Sequence, residues 1–217
     1  MPAYIKNCLD TWKVDYTLIT FDTLKRYTNL DIESLKGYTL AQISDVVRAH
    51  VLRDNGGYWL DADTIMLSDN LPKENMIGVP KYRTAHCGFL NFEQNAPMII
   101  EWANKQDEIL SAGIVNSNWD LFANSLSDKC LEMHNDVTIA DRTNYVAESY
   151  MIKEQLSNYD KYKKFYFSDS YRLKDLNETS LLMLHNSWTP DWYKQLTMTR
   201  ILNHNCTLSN ILREVLK

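Results

Sequence analysis

The sequence lacks the features that mark several large classes of protein. No apolar run approaches the roughly 20 residues that a transmembrane helix needs. The N-terminus shows no signal-peptide pattern, and the 4 cysteines form no C-x-x-C pair. We therefore expect a cytoplasmic protein with reduced thiols. The formal net charge of −5 argues against a nucleic-acid binder, because such proteins present a basic face.

Signs of a domain boundary are also absent. The 217 residues contain no internal repeat, low-complexity tract or linker. A hydrophobic content of 45% and a charged content of 24% are typical of an ordinary globular protein, and the length is sufficient to bury a core. We predict a single domain that spans residues 1–217.

The most informative stretch begins with a helix. Thr39 and Gln42 fit a capping box, in which the two side chains satisfy backbone groups at the helix N-terminus. Asn55 is followed by Gly56 and Gly57, and glycine tolerates the left-handed backbone in which helices often end. The pattern predicts a helix over about residues 40–55.

Two carboxylates follow this helix. The aromatic and apolar residues 58–60 predict a short buried strand, and Asp61 and Asp63 come directly after it. On a regular strand, side chains at i and i+2 point the same way, so a cation is needed to offset the repulsion. Hard oxygen ligands suit Mg²⁺ or Mn²⁺, which usually completes its shell with substrate phosphate. The alternative is that both aspartates are turn residues in a polar loop.

The ordered pattern S-D-x-x-R, apolar helix, G-G-Y-x-L-D-x-D resembles a known family. It is similar to the core of glycosyltransferases with the sugar-binding DXD motif, especially bacterial capsular-polysaccharide transferases and fungal mannosyltransferases. Large clostridial glucosylating toxins share this core. The matched residues are Ser44, Asp45, Arg48, Gly56, Gly57, Tyr58, Leu60, Asp61 and Asp63.

The resemblance implies a GT-A fold, a Mn²⁺ or Mg²⁺ ion and a nucleotide-sugar donor, with UDP favoured. It implies that Asp63 binds the metal and that Asp61 binds the ribose or donor sugar, with metal contact as well. Asp45 and Arg48 would hold the sugar. Within the matched set, Gly57 and Tyr58 would line the donor site.

A second stretch, residues 181–192, carries a histidine and two tryptophans. An apolar strand ends at His185, and Ser187, Trp188 and Trp192 follow. In the resembling family, a late strand delivers a histidine that completes the metal shell, and imidazole is a suitable ligand for Mn²⁺. A Ser-Trp pair then contacts the diphosphate. The spacing leaves open whether Trp188 or Trp192 is the counterpart.

The resemblance also predicts the fold class. We expect an α/β, GT-A-like and Rossmann-like domain with a mixed, mostly parallel central sheet flanked by helices. Relatives begin with a strand of the type I-P-K-x-I-H-x-x-W, which helps to hold the nucleotide base, whereas this chain opens at Met1-Pro2-Ala3-Tyr4. Either the start is truncated, or the protein lacks the first nucleotide-binding strand and with it part of the nucleotide pocket.

Several other segments have local signals. Residues 15–21, 76–80 and 163–167 read as strands, and residues 95–110 read as a helix capped by Asn95. Residues 86–91 read as a strand that ends in Asn91, which lies near donor and acceptor in the resembling family; a satisfied turn amide is the alternative.

Residues 145–171 are rich in Tyr and Lys. They could meet a lipid-linked acceptor at the inner, anionic face of the membrane. We favour the alternative, a solvated face of amphipathic side chains.

Three functions remain open from the sequence. The leading hypothesis is a metal-dependent, retaining glycosyltransferase that moves a hexose or N-acetylhexosamine to a glycan or lipid-linked oligosaccharide. Residues 60–65 also fit the first motif of haloacid-dehalogenase-like phosphatases, but no Asp-Asp pair follows Asp63. The third hypothesis is a non-catalytic nucleotide-sugar binder.

Overall fold

The chain forms two compact units in a computed structural model, which describes residues 1–71, 73, 75–79, 86–116, 118–141, 145–176 and 179–217. The first unit comprises Met1–Tyr16, Asp61–Leu71 and Arg142–Lys217, and the second comprises Thr17–Leu60 and Pro72–Asp141. The prediction of a single domain stays a prediction. No helix in the described part of the chain is both long enough and apolar enough to cross a membrane.

The second unit is a small mixed sheet with flanking helices. Its helices are Leu40–Asn55, Pro97–Ser111 and Asn124–Leu131, with 3-10 turns at Leu24–Arg26 and Ile32–Leu35. Its strands, in spatial order, are Gly57–Leu60, His86–Phe92, Met76–Val79 and Thr138–Asp141. The first two neighbouring pairs are antiparallel, and only the last is parallel.

The mixed α/β class is confirmed, but the prediction of a mostly parallel sheet is wrong. The sequence of a short apolar strand does not indicate whether the neighbouring strand runs parallel or antiparallel to it, because the strands that pair with it are distant in the sequence. Here Gly57–Leu60 pairs with His86–Phe92 in antiparallel register, with Tyr58 opposite Asn91. The predicted strand over residues 76–80 is observed as Met76–Val79, and Pro80 lies outside the described residues.

The helix Leu40–Asn55 begins and ends as its sequence predicts. Thr39 and Gln42 form the capping box, and Gly56 ends the helix with φ 68°. The helix packs against Pro97–Ser111 through a core in which Trp102 is fully buried. The helix Pro97–Ser111 is capped by Ala96 rather than Asn95, so the predicted cap is wrong.

The first unit is built around a two-stranded antiparallel sheet. Thr64–Met66 pairs with Leu181–Met183, and every residue of both strands is buried. Its helices are Ala3–Asp10, Glu148–Met151, Asn158–Tyr166, Asp191–Lys194, Met198–Asn203 and Thr207–Val215, with a 3-10 turn at Leu173–Asp175. Five tyrosines of this unit are fully buried, namely Tyr4, Tyr145, Tyr162, Tyr166 and Tyr193.

Two predicted strands are wrong. Residues 15–21 form no strand, and residues 163–167 lie largely in the helix Asn158–Tyr166. Aromatic residues favour strands, but Phe165 and Tyr166 are buried together with Tyr162, at the i, i+3 and i+4 spacing of one helix face. Burial on a helix face has therefore overridden local β-propensity.

His50 should make the second unit sensitive to acid. Its ring is 2% exposed, and Nε2 lies 3.4 Å from Asp107 Oδ1. Burial lowers the pKa of His50 below its ordinary value of 6.5, although the charge of Asp107 opposes the shift. The unfolded chain therefore binds a proton more readily than the folded one as the pH falls below 6.5. Neutral His50 therefore stabilises the folded state fully above pH 6.5. This contribution is lost as the pH falls toward the lower pKa that His50 has in the folded chain.

Urea unfolding at about pH 7.5 and about pH 5.5 measures this contribution. We expect the wild-type chain to lose more stability than His50→Gln between the two values. Equal losses in both chains would show that His50 does not carry the acid sensitivity.

Candidate functional site

The D-x-D sequence occupies a turn rather than a regular strand. The backbone N–H of Thr64 donates to the carbonyl of Asp61 at 3.0 Å, and the next strand begins at Thr64. The prediction that both carboxylates project from a regular strand is therefore wrong, and Asp61 and Asp63 are turn residues, as the alternative had it. A turn still places the two aspartates at the start of a buried strand.

Asp63 is tied to the segment that follows the second strand of its unit. Its Oδ2 accepts a hydrogen bond from the backbone N–H of Asn186 at 2.9 Å. Its carbonyl accepts the N–H of Leu184 at 3.2 Å. The pairing of Thr64–Met66 with Leu181–Met183 brings these segments together. The first unit thus joins the D-x-D turn to the second sequence stretch predicted to form the site.

His185 and Trp188 lie in a tight turn beside this contact. The carbonyl of His185 accepts the N–H groups of Trp188 and Thr189, both at 2.9 Å. The rings of His185 and Trp188 have centroids 4.2 Å apart. Tyr162 anchors the turn, because its hydroxyl accepts the N–H of His185 at 3.3 Å and lies 2.8 Å from Thr189 Oγ1.

The two candidate tryptophans have different neighbours. Trp188 contacts His185, whereas the ring of Trp192 lies 5.0 Å from that of His204 and 5.9 Å from that of Phe167. Ser187, between Asn186 and Trp188, is exposed. The ring next to the predicted histidine is therefore that of Trp188.

Tyr4 and Asn186 are contacts that sequence reasoning missed. The hydroxyl of Tyr4 donates to Asn186 Oδ1 at 2.7 Å. Burial, and then the charge of Asp63, raises the pKa of Tyr4 far above its ordinary value, and the same two causes raise the pKa of Cys8. Both groups therefore stay protonated at neutral pH and are unsuited to act as bases. In the sequence, the only feature that pointed to Asn186 was its position between the predicted site residues His185 and Ser187.

In the second unit, Asp45 and Arg48 form a buried ion pair. Arg48 Nη2 lies 3.2 Å from Asp45 Oδ1, and the side chain of Arg48 is 7% exposed and that of Asp45 10% exposed. Nη1 donates to the carbonyl of Cys87, and Nη2 also donates to Ser44 Oγ at 3.3 Å. The guanidinium lies 5.6 Å from the ring centroid of Trp59. The predicted pair is thus brought together and held by neighbours on several sides.

Tyr58 and Asn91 also lie in this unit, directly opposite each other on neighbouring strands. Tyr58 is 44% exposed and stacks on Phe89 with an interplanar angle of 5°, whereas Asn91 is 6% exposed. Directly opposite residues on antiparallel strands share one face of the sheet. The prediction that residues 58–60 form a buried strand is therefore wrong, because Tyr58 is exposed and Trp59 and Leu60 are only half-buried.

The Gly56-Gly57 pair allows a test with a built-in control. Both residues have positive φ, 68° and 90°. A Cβ on Gly56 would lie 2.5 Å from the backbone N of Gln94, whereas a Cβ on Gly57 would meet nothing within 4 Å. We expect Gly57→Ala to cost about 1 kcal/mol through backbone strain alone. Gly56→Ala should cost about 2 to 3 kcal/mol because the backbone overlap adds to it.

Urea unfolding measures both glycine variants. Equal losses of stability would contradict the close approach at Gly56. Gly57 is also a predicted donor-site residue, so its variant should be assayed for nucleotide release.

Metal ligands are a separate question. Among the residues that the structure describes, no group of three or more His, Cys, Asp and Glu side chains is placed to hold a metal ion by itself. Asp61 and Asp63 nevertheless offer carboxylate oxygens, which are the donors that Mg²⁺ and Mn²⁺ prefer. A pair of carboxylates fits an ion that takes its remaining ligands from substrate phosphate and water.

Comparison with known proteins gives one match. The family model for the capsular polysaccharide synthesis protein matches residues 1–210. Neither the curated proteins nor the solved structures contain a match. The family match covers nearly all of both compact units and indicates a role in the synthesis of capsular polysaccharide. The chain belongs to the capsular polysaccharide synthesis protein family.

Proposed function

We propose that the chain is a metal-dependent glycosyltransferase of capsule synthesis. It transfers a hexose or N-acetylhexosamine, with retention of configuration, from a nucleotide-sugar, for which UDP is favoured. The acceptor is a glycan or a lipid-linked oligosaccharide at the inner face of the membrane. Two observations support the proposal, namely the family match over residues 1–210 and the ordered set of residues that ends in Asp61-Ala62-Asp63.

The observation that carries the proposal is the hydrogen bond between Asp63 and Asn186. Residues 61–63 and 185–188 are far apart in the chain, and the resemblance implies that both belong to the site. The 2.9 Å bond from the Asn186 N–H to Asp63 Oδ2 places them side by side in one unit. The antiparallel pairing of Thr64–Met66 with Leu181–Met183 holds the two stretches next to each other.

The proposed roles follow from the donor chemistry of each group. Asp61 and Asp63 would hold Mn²⁺ or Mg²⁺ together with substrate phosphate and water. His185 is a ligand only by the resemblance, because it forms no three-residue metal group with them in the described part of the chain. When bound, the ion neutralises charge on the leaving diphosphate. The exposed hydroxyl of Ser187 and the ring of Trp188 contact that diphosphate. By resemblance, the remaining donor contacts are Asp45, Arg48, Gly57, Tyr58 and Asn91.

The decisive experiment measures nucleotide release from UDP- and GDP-sugars by the purified chain, with and without Mn²⁺. We expect release from one donor, dependence on the metal, and loss of release when the metal is chelated. Donor binding without release would instead indicate a non-catalytic binder. Turnover of simple phosphomonoesters would revive the phosphatase alternative. Release that persists after chelation would contradict the metal-dependent mechanism.

A further inference from the structure

A cation and an aromatic ring are paired on the surface of the helix Asn158–Tyr166. Tyr159 and Lys163 are four residues apart and therefore share one face of the helix. Lys163 Nζ lies 4.2 Å from the ring centroid of Tyr159, which is 41% exposed. In the part of the chain that the structure describes, no carboxylate lies within ion-pair distance of Lys163. The next lysine, Lys164, is paired with Glu154.

This pair lies beside the candidate site of the same unit. The ring of Tyr159 meets that of Trp188 edge-on, with centroids 6.1 Å apart. Trp188 in turn contacts His185, and Asn186 donates its backbone N–H to Asp63. A continuous series of contacts therefore runs from the D-x-D turn through Trp188 to Tyr159 and Lys163.

The position of this pair is fixed by the core beneath it. Tyr162 precedes Lys163 in the helix, is fully buried, and holds both His185 and Thr189 through its hydroxyl. The helix and the turn that carries Trp188 are thus joined by hydrogen bonds. The contact between the Tyr159 and Trp188 rings is therefore set by buried groups rather than by two mobile surface side chains.

We propose that Tyr159, Lys163 and Trp188 form an acceptor subsite for a sugar that carries an anionic group, a carboxylate or a phosphate. The inference rests on the proposed function in one respect, namely that the acceptor binds beside the D-x-D turn. The two rings supply an apolar wall of the kind that lines ligand sites, and the ammonium supplies the polar contact that fixes orientation. A cation held over a ring keeps its charge available to an anion.

An anionic acceptor fits this arrangement better than the donor diphosphate. The ion proposed at Asp61 and Asp63 already neutralises the diphosphate. Along the series of contacts that starts at the D-x-D turn, Lys163 comes after the rings of Trp188 and Tyr159. Because Asp63 contributes negative charge to this unit, an anionic sugar needs a local cation to bind nearby.

The test uses matched sugar probes and the chain without metal or nucleotide. Methyl β-glucuronide and methyl β-glucoside differ only in the carboxylate, and glucose 6-phosphate supplies the phosphate form. Binding is followed through the NMR signal of the Trp188 indole N–H. We expect an anionic probe to bind roughly fivefold more tightly than the glucoside, the size of one partly exposed ion pair. Tighter binding of the glucuronide would identify the anionic group as a carboxylate, and tighter binding of glucose 6-phosphate would identify it as a phosphate.

Variants of neighbouring lysines provide the control. Lys163→Gln should remove the preference for the anionic probe, Lys163→Arg should keep it, and Lys164→Gln should leave it unchanged. Equal binding of all three probes, or a preference that survives in Lys163→Gln, would overturn the subsite. A matching loss of Mn²⁺-dependent UDP binding in Lys163→Gln would assign the ammonium to the donor and overturn it as well. Because the sugar-probe titrations contain neither metal nor nucleotide, their failure is distinct from a failure of donor release.

Discussion

Replacing Asp63 by asparagine is expected to abolish nucleotide release while leaving the fold intact. An amide oxygen can still accept the backbone N–H of Asn186, which Asp63 Oδ2 holds at 2.9 Å. The amide cannot supply the negative charge that a divalent ion requires. Loss of an outer-shell partner costs 10- to 100-fold in metal affinity or activity, so loss of a direct ligand should cost at least about 100-fold.

The asparagine variant separates the structural role of Asp63 from its metal-binding role. Asp63→Ala removes both the charge and the acceptor, and should also lose about 1 to 3 kcal/mol of stability because the Asn186 N–H loses its charged partner. Asp69→Asn is the matched control, since Asp69 is an exposed carboxylate on the same segment of the first unit. Each variant is assayed for Mn²⁺-dependent nucleotide release and for urea stability. Full release by Asp63→Asn would refute the proposed metal site.

The second large effect is expected at Arg48. Arg48→Leu leaves the carboxylate of Asp45, 10% exposed, without its guanidinium. It also removes the donor to the carbonyl of Cys87. Removing one member of a buried ion pair strands the other charge and costs about 3 to 5 kcal/mol. We therefore expect a large decrease in the urea midpoint whether or not the pair also binds sugar.

Arg53 provides the matched control on the same helix. Arg53 pairs with Asp54, but their side chains are 21% and 25% exposed. Arg53→Leu should cost up to about 1 kcal/mol, as partly exposed pairs usually do. Urea unfolding of both variants gives the comparison. Similar midpoints for Arg48→Leu and Arg53→Leu would show that the buried pair is not what stabilises this unit.

A role for Arg48 in sugar binding needs a variant that keeps the charge. Lysine retains the positive charge but lacks the planar fork that reaches Asp45, Ser44 and Cys87 together. In Arg48→Lys, a loss of donor affinity larger than the loss of stability would support the role that the resemblance implies.

Local patterns in the sequence determined several elements correctly. The capping box of Thr39 and Gln42 and the helix end at Gly56 are confirmed. Both signals act within four residues, where side chain and backbone satisfy each other without help from the rest of the chain. The strand Leu181–Met183 is confirmed for a related reason, because a short apolar run bounded by polar residues must be buried.

The candidate site was predicted in part. Asp45 and Arg48 are three residues apart on one helix, a spacing that places them on the same face, and they form an ion pair. The backbone conformation of residues 61–64 was not decided by the sequence, since these four residues can either continue a strand or form a turn. The turn follows from pairing of Thr64–Met66 with Leu181–Met183, which lies more than a hundred residues away.

The sequence by itself therefore determined both ends of the helix Leu40–Asn55, the ordered carboxylate pattern and the family to which the chain belongs. Only the tertiary structure decided the direction of the strands, the helical state of Phe165 and Tyr166, and the contact of Asp63 with Asn186. The physical reason is the range of the interactions. Caps and helix faces are settled by neighbours within one or two turns, whereas strand pairing and the burial of aromatic side chains depend on partners that only the folded chain brings near.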